Sequence, residues 1–131
     1  MKIILDTNVI ISAMLSPSGL PARILNLVLS GAVTIVYDNN ILAEYTDVIN
    51  REKLKINKEL AAMVIDFISK EGEFGIANPQ KIKFFDEDDK KFYELYKTVD
   101  IDYLITGNIK HFPSERSIVT PKQFWSIIER R

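Results

Sequence analysis

The sequence predicts an α/β domain in which a parallel sheet carries helices on both faces. Three observations lead there. Short runs rich in β-branched and aromatic residues alternate with helical patterns, as in βαβ units. The first run, Ile3-Ile4-Leu5, is continuously apolar, which suits a strand covered on both faces. That run ends directly in Asp6-Thr7-Asn8, polar groups at the strand's C-terminal end, where open parallel sheets bind their ligands.

Strands are predicted at Lys2–Leu5, Val33–Tyr37, Tyr103–Thr106 and Ser117–Val119. The segment Asp6–Leu15 turns straight into a short helix. Pro21–Ser30 is helical and stops at Gly31, a residue suited to the left-handed turn that ends a helix. Asn39–Arg51 places Ile41, Leu42, Tyr45, Val48 and Ile49 on one stripe. Lys58–Lys70 repeats that pattern with Leu60, Met63, Val64, Phe67 and Ile68 and stops before Gly72. Asp88–Val99 carries Phe92, Leu95, Tyr96 and Val99. The last helix opens on Thr120 as N-cap, with Pro121 in its first position and Gln123 closing a capping box. Two helices in succession after the second strand interrupt plain alternation. No repeat or linker divides the chain, so residues 1–131 read as one domain.

Composition narrows the chemistry. The chain is 47% hydrophobic and 27% charged, ordinary for a soluble globular protein. It has no cysteine and a single histidine, His111, which excludes disulfides, thiolate metal sites and a multi-histidine zinc site. A bound metal would need oxygen ligands, which favours magnesium, manganese or calcium. No signal peptide or membrane span is visible, so a cytoplasmic protein without a membrane partner is expected. The net charge of −1 offers no global basic field, so a nucleic-acid partner would need a local cationic patch.

The acids carry the functional argument. Asp6 ends the first strand. Glu44 lies about 40° beyond Val48 on a helical wheel, at the rim of the buried stripe, and a helix-dipole or snorkelling role is the plain alternative. In Asp86-Glu87-Asp88-Asp89, Asp86 or Asp88 suits an N-cap, and on the wheel Asp88 and Asp89 both flank the Phe92–Tyr96–Val99 face, so at least one acid is aimed inward beyond what capping requires. Lys90, Lys91 and Glu94 point outward on the same wheel. Thr106-Gly107-Asn108 sets further polar groups at a strand end, although Gly107-Asn108 also suits an ordinary turn. Asp6, Glu44 and Asp89, with Asn108 as a neutral fourth member, are thus expected around one crevice. Carboxylates gathered there repel, and a hard dication relieves the repulsion, binds phosphate and activates water. Phosphodiester hydrolysis without a covalent intermediate fits.

The ordered set Leu5-Asp6-Thr7-Asn8-Val9-Ile10, Glu44, Asp86 to Phe92 and Asp102 to Asn108 resembles the PIN domain over nearly the whole chain. Its spacing is similar to the prokaryotic group of VapC-like toxin components of toxin–antitoxin systems. The resemblance implies a three-layer α/β/α fold with a central parallel sheet of four to five strands. It implies an endoribonuclease dependent on Mg2+ or Mn2+. Asp6, Glu44 and Asp89 match the family's main acids and metal ligands, and Asn8 and Thr106 match its polar neighbours at the site. Asn108 stands where many members carry a fourth acid, which puts a second metal in doubt. A small cognate antitoxin and a homodimer are implied as partners beside the RNA substrate.

Lys110, with His111, Arg116 and Lys2, offers a cationic rim for an RNA backbone. His111 itself is a candidate general base, although a lone histidine before Phe112-Pro113 reads more readily as a turn or surface residue, and Asp102 reads as structural. Two rival readings remain. A catalytically degenerate PIN-like module would bind RNA or protein, with Asn108 as its support. An aspartate-based phosphatase needs a second acid two residues after its nucleophile, where this chain has Asn8.

Overall fold

A computed structural model describes the whole chain, Met1–Arg131. Five parallel strands make one sheet: β1 (Lys2–Leu5), β2 (Thr34–Tyr37), β3 (Glu73–Phe74), β4 (Tyr103–Ile105) and β5 (Ile118–Val119), in the spatial order β3-β2-β1-β4-β5. Six helices accompany them: α1 (Thr7–Leu15), α2 (Leu20–Leu29), α3 (Asn39–Ile49), α4 (Lys58–Glu71), α5 (Lys90–Thr98) and α6 (Pro121–Glu129). α2 packs beside α1 and α6, and α3 beside α4 and α5, giving the three layers of an α/β/α fold. No helix is long and apolar enough to cross a membrane.

β1 sits in the centre because its side chains have no wet face. Ile3, Ile4 and Leu5 are all fully buried, as the unbroken apolar run requires. The register sets Ile3 beside Ile35 of β2 on one flank and beside Tyr103 of β4 on the other. The chain leaves β1 to build β2 and β3 on one side, then crosses over to β4 and β5. Strand order therefore reverses between β1 and β4, and ligand crevices in such sheets open at the carboxyl ends of strands at that reversal.

The helix boundaries obey local chemistry. After α2, Gly31 adopts φ +83°, where a Cβ would be strained, and its N–H donates to the Val28 carbonyl at 3.1 Å. At α6, Thr120 Oγ1 accepts from Gln123 N (3.1 Å), and the Gln123 side chain accepts from Thr120 N (2.9 Å), the expected capping box. The acid-rich stretch departs from a plain helix. Glu87–Asp89 forms a 3-10 turn that runs into α5, with Asp86 Oδ1 capping it by accepting from Asp88 N at 3.0 Å.

The second edge strand is new relative to the sequence. Glu73–Phe74 pairs with Val36 and Tyr37 of β2, and Gly75 N donates to the Tyr37 carbonyl at 2.8 Å. Gly72 permits it: a Cβ there would lie 2.5 Å from the Ile68 carbonyl oxygen and 3.0 Å from that of Ile35. A 30-residue hydrophobic core surrounds the sheet, with Tyr45, Phe92 and Phe124 as its largest fully buried side chains.

Candidate active site

Asp6 follows β1 and is the N-cap residue of α1, with φ −63° and ψ 147°. Its carboxyl makes no side-chain cap bond to that helix. Instead Thr106 Oγ1, at the end of β4, donates to Asp6 Oδ2 at 2.7 Å. The bond bridges the two strands where their order reverses. Thr106 is fully buried and also accepts from the Asn108 N–H at 2.9 Å, so one hydroxyl ties Asp6 to the loop after β4. Asn8 anchors that loop again, its Oδ1 accepting from Gly107 N at 3.2 Å. A second strand–helix junction offers a contrast. Asp38, after β2, caps α3 by accepting from Ile41 N at 2.8 Å.

α3 delivers Glu44 as the wheel foretold. Ile41, Tyr45 and Ile49 are buried, and Glu44 sits half-buried on the rim beside them. Burying such apolar side chains stabilises by about 1.5–3 kcal/mol each, enough to hold a carboxylate in a place it would not choose alone. The Tyr45 hydroxyl donates to the Leu5 carbonyl, locking α3 against the last residue of β1. Burial, reinforced by Asp6, Glu44 and Asp38, pushes that phenol well above its usual range, so it remains a donor. Glu44 accepts from Thr7 Oγ1 and from Lys91 Nζ, the latter at 2.6 Å.

Asp89 is buried at the start of α5. Its Oδ2 pairs with His111 Nδ1 at 3.0 Å. Lys91, two residues further, donates to the Asp88 carbonyl (2.7 Å) as well as to Glu44. Asp6, Glu44, Asp89 and Asn108 all line one open cleft of about 750 Å³ at the carboxyl ends of the strands. Asn8 and Thr7 line it too, as do Asp47, Asp86 and Asp88. The cations on its wall are Arg51 and Lys53, and Arg51 is already paired with Asp47 at 3.2 Å.

Such a concentration of acids shifts their proton affinity. Burial raises the Asp6 carboxyl from 3.8 to about 6; the charges of Asp89 and Glu44 add to this, and the Thr106 hydroxyl and Thr7 N–H partly offset it. Burial raises Asp89 as well, with His111 acting in the opposite direction and Asp86 and Glu44 adding to the rise. Carboxylates with raised pKa values in a shared cleft are the donor chemistry that a hard dication stabilises. In the present arrangement no three acid or histidine side chains converge closely enough to grip one ion. Lys91 and Thr7 occupy the two oxygens of Glu44, and His111 occupies one of Asp89.

Several sequence expectations need correction. Lys91 does not point outward, because its flexible stem reaches across to Glu44 on another helix. His111 is no plain turn residue, since its ring is bound to a cleft acid. Asp86 caps as expected, but both it and Asp88 also face the cleft. The rim of Lys110, Arg116 and Lys2 does not form around this cleft. Lys110 is exposed and lies off the cleft wall. Arg116 lines a separate groove with Lys122 and Arg130. Lys2 begins β1, at the opposite end of the strand from Asp6, and pairs with Glu73 at 2.9 Å. Asp102 is structural as read, accepting from Lys2 N at 2.8 Å. Arg51 and Lys53 are cleft residues that no spacing rule singled out.

No curated protein and no solved structure matches the chain. A family match does exist, to the PIN domain, over residues 2–110. It takes in β1 through β4 and all the cleft acids, and ends one residue before His111. With the all-parallel sheet and its acidic cleft, this match shows that the chain belongs to the PIN domain family, whose fold is of nuclease type.

Proposed function

We propose that this protein is a metal-dependent endoribonuclease that hydrolyses RNA phosphodiester bonds at the cleft between β1 and β4. The observation that carries this reading is the meeting of Asp6, Glu44 and Asp89, from three distant segments, around one cleft where strand order reverses. Asp6, Glu44 and Asp89 would hold Mg2+ or Mn2+ once Thr7 and Lys91 yield the Glu44 oxygens, and the bound ion would supply a Lewis acid for the phosphate and lower the pKa of a water.

The chain's own residues do the rest. Thr106 orients Asp6 and His111 orients Asp89, leaving one oxygen of each carboxylate without these partners. Asn108 offers a carbonyl where a fourth charge is missing, which suits water or a single ion rather than two. Asn8 fixes the Gly107 turn beside it. Arg51 and Lys53, and not Lys110, draw the RNA backbone to the cleft mouth. Lys91 balances Glu44 before an ion arrives.

The finer reading is a toxin of a toxin–antitoxin pair, acting as a homodimer and held silent by a small antitoxin. Its support is the similarity of the motif spacing to that prokaryotic group. Induced expression should then arrest growth, and the Asp6→Asn variant should not.

The decisive assay is cleavage of a panel of structured and single-stranded RNAs with Mg2+, Mn2+ or EDTA, beside Asp6→Asn. Cutting that needs metal and vanishes in the variant supports the proposal; cutting that survives Asp6→Asn overturns it. Lys91 on Glu44 and an amide at Asn108 favour one alternative, a non-catalytic module of the same fold. That module would show neither cleavage nor a metal-dependent rise in melting temperature.

A further inference from the structure

We propose that Phe85 is a stacking platform for one unpaired base of a single-stranded RNA whose backbone lies in the acidic cleft, an inference that rests on the ribonuclease reading above. Phe85 is 86% exposed, the most exposed large apolar side chain of those on the surface. An aromatic ring left in water forgoes the burial that holds the rest of the core together. It directly precedes Asp86, which lines the cleft.

The ring is held from one side. Its centroid lies 4.9 Å from that of His111, with the planes inclined by 39°. His111 is in turn fixed by Asp89 Oδ2 at 3.0 Å. A cleft acid, an imidazole and a benzene ring therefore form one connected row, from the proposed reaction centre outwards. Beside the tilted His111 ring and with most of its surface in water, the ring suits the flat face of a base, because every base has one to offer. Lys81 and Lys83 stand on the same segment, exposed and without carboxylate partners, available to the phosphates on either side.

A duplex keeps its bases stacked on one another and cannot present one here, so single strands, loops and bulges are the substrates selected. A protein partner would also cover an exposed phenylalanine. The row from Asp89 through His111 favours the base, because it sets a planar group at a fixed place beside the phosphate-binding cleft.

The test is binding of a labelled 12-nucleotide single-stranded RNA, in EDTA, to wild type and to Phe85→Ala, Phe85→Leu and Phe85→Trp. The same RNA with abasic positions and the same sequence as a duplex complete the set. Stacking predicts that Ala and Leu weaken the single strand by about five- to a hundredfold. Trp should retain or strengthen binding. Abasic and duplex RNA should bind all four proteins alike, and melting temperatures should not move. Retention of affinity by Ala overturns the proposal, and so does full rescue by Leu, which is apolar but not planar. If Ala leaves RNA affinity intact but dissociates a wild-type dimer, the ring is a protein contact and the base platform is wrong. Metal-dependent cleavage by wild type keeps the ribonuclease reading standing in those cases; wild type that neither binds nor cuts RNA overturns both.

Discussion

Replacing Asp6 by asparagine should stabilise the metal-free protein, and by an amount that depends on pH. Burial, with Asp89 and Glu44 nearby, lifts the Asp6 pKa from 3.8 to about 6 in the folded state. The folded protein thus holds this proton more tightly than the unfolded chain. The associated stability is fully present below about pH 4 and is lost as pH rises through about 6. The rise from 3.8 to about 6 corresponds to about 3 kcal/mol at full ionisation. The linkage relation gives a loss of about 1.6 kcal/mol by pH 5 and about 2.9 kcal/mol by pH 7. Asparagine carries no such penalty and keeps an acceptor for the Thr106 hydroxyl. In EDTA, the stability advantage of Asp6→Asn should therefore be small near pH 4 and grow by about 1.4 kcal/mol between pH 5 and pH 8, or roughly 5 °C in melting temperature. Urea unfolding of both proteins at several pH values measures it directly. Saturation with Mg2+ at about a hundred times its Kd would return about 2.7 kcal/mol to wild type alone, nearly closing the gap. An advantage that is constant with pH, or larger at pH 5 than at pH 8, would refute the assignment of Asp6 as a buried acid under strain.

Three further outcomes are expected. Thr106→Val removes the 2.7 Å bond to Asp6 and one of the influences that lower its pKa, so stability at pH 7 should fall by about 1–3 kcal/mol, less at pH 4, read from urea midpoints. Asn108→Asp should keep or increase metal-dependent cleavage, measured as initial rate against metal concentration; a loss would show that the amide has a role of its own. Lys91→Met frees Glu44 of its ammonium partner and should cost about 1 kcal/mol without metal, while tightening Mg2+ severalfold in a thermal titration. Weaker Mg2+ binding in that variant would mean that Lys91 organises the site instead of competing for it.

The sheet was largely readable from the sequence because four of its strands carry their own pattern. Ile3 to Leu5 is one, and the β-branched run before Asp38 and the aromatic and aliphatic run before Thr106 are others. Glu73–Phe74 was not readable, since it is a charged residue and a phenylalanine with no β-branched neighbour, unlike the equally short Ile118–Val119. That strand exists because Gly72 lets the chain pass close to β2 and because Tyr37 and Phe74 meet edge to face at 5.8 Å. The cleft acids were legible for a related reason: strand ends and helix faces are local properties, and both point where the sequence says. What was not legible is the set of partners those acids take. Lys91 and Glu44 lie 47 residues apart, and Asp89 and His111 lie 22 apart. A helical wheel fixes where a Cβ points, not where a flexible lysine tip arrives. The cationic rim failed because residues near one another in number, such as Lys110 and Arg116, diverge once β5 and its loop are in place.

Asp6 and Asp38 form a matched pair within one molecule. Each follows a central strand, each stands at the first turn of a helix, and each is buried. Asp38 serves its own helix, and Asp6 does not. α1 therefore starts without a stabilisation of about 1 kcal/mol that its own residue could provide, and is held instead by its packing against α2 and α3. Replacement of the two side chains at these equivalent junctions should thus act with opposite signs: Asp38→Ala loses the cap and about 1 kcal/mol of folding stability, while Asp6→Asn gains stability. That opposition separates an aspartate kept for folding from one kept for chemistry, using the protein as its own reference.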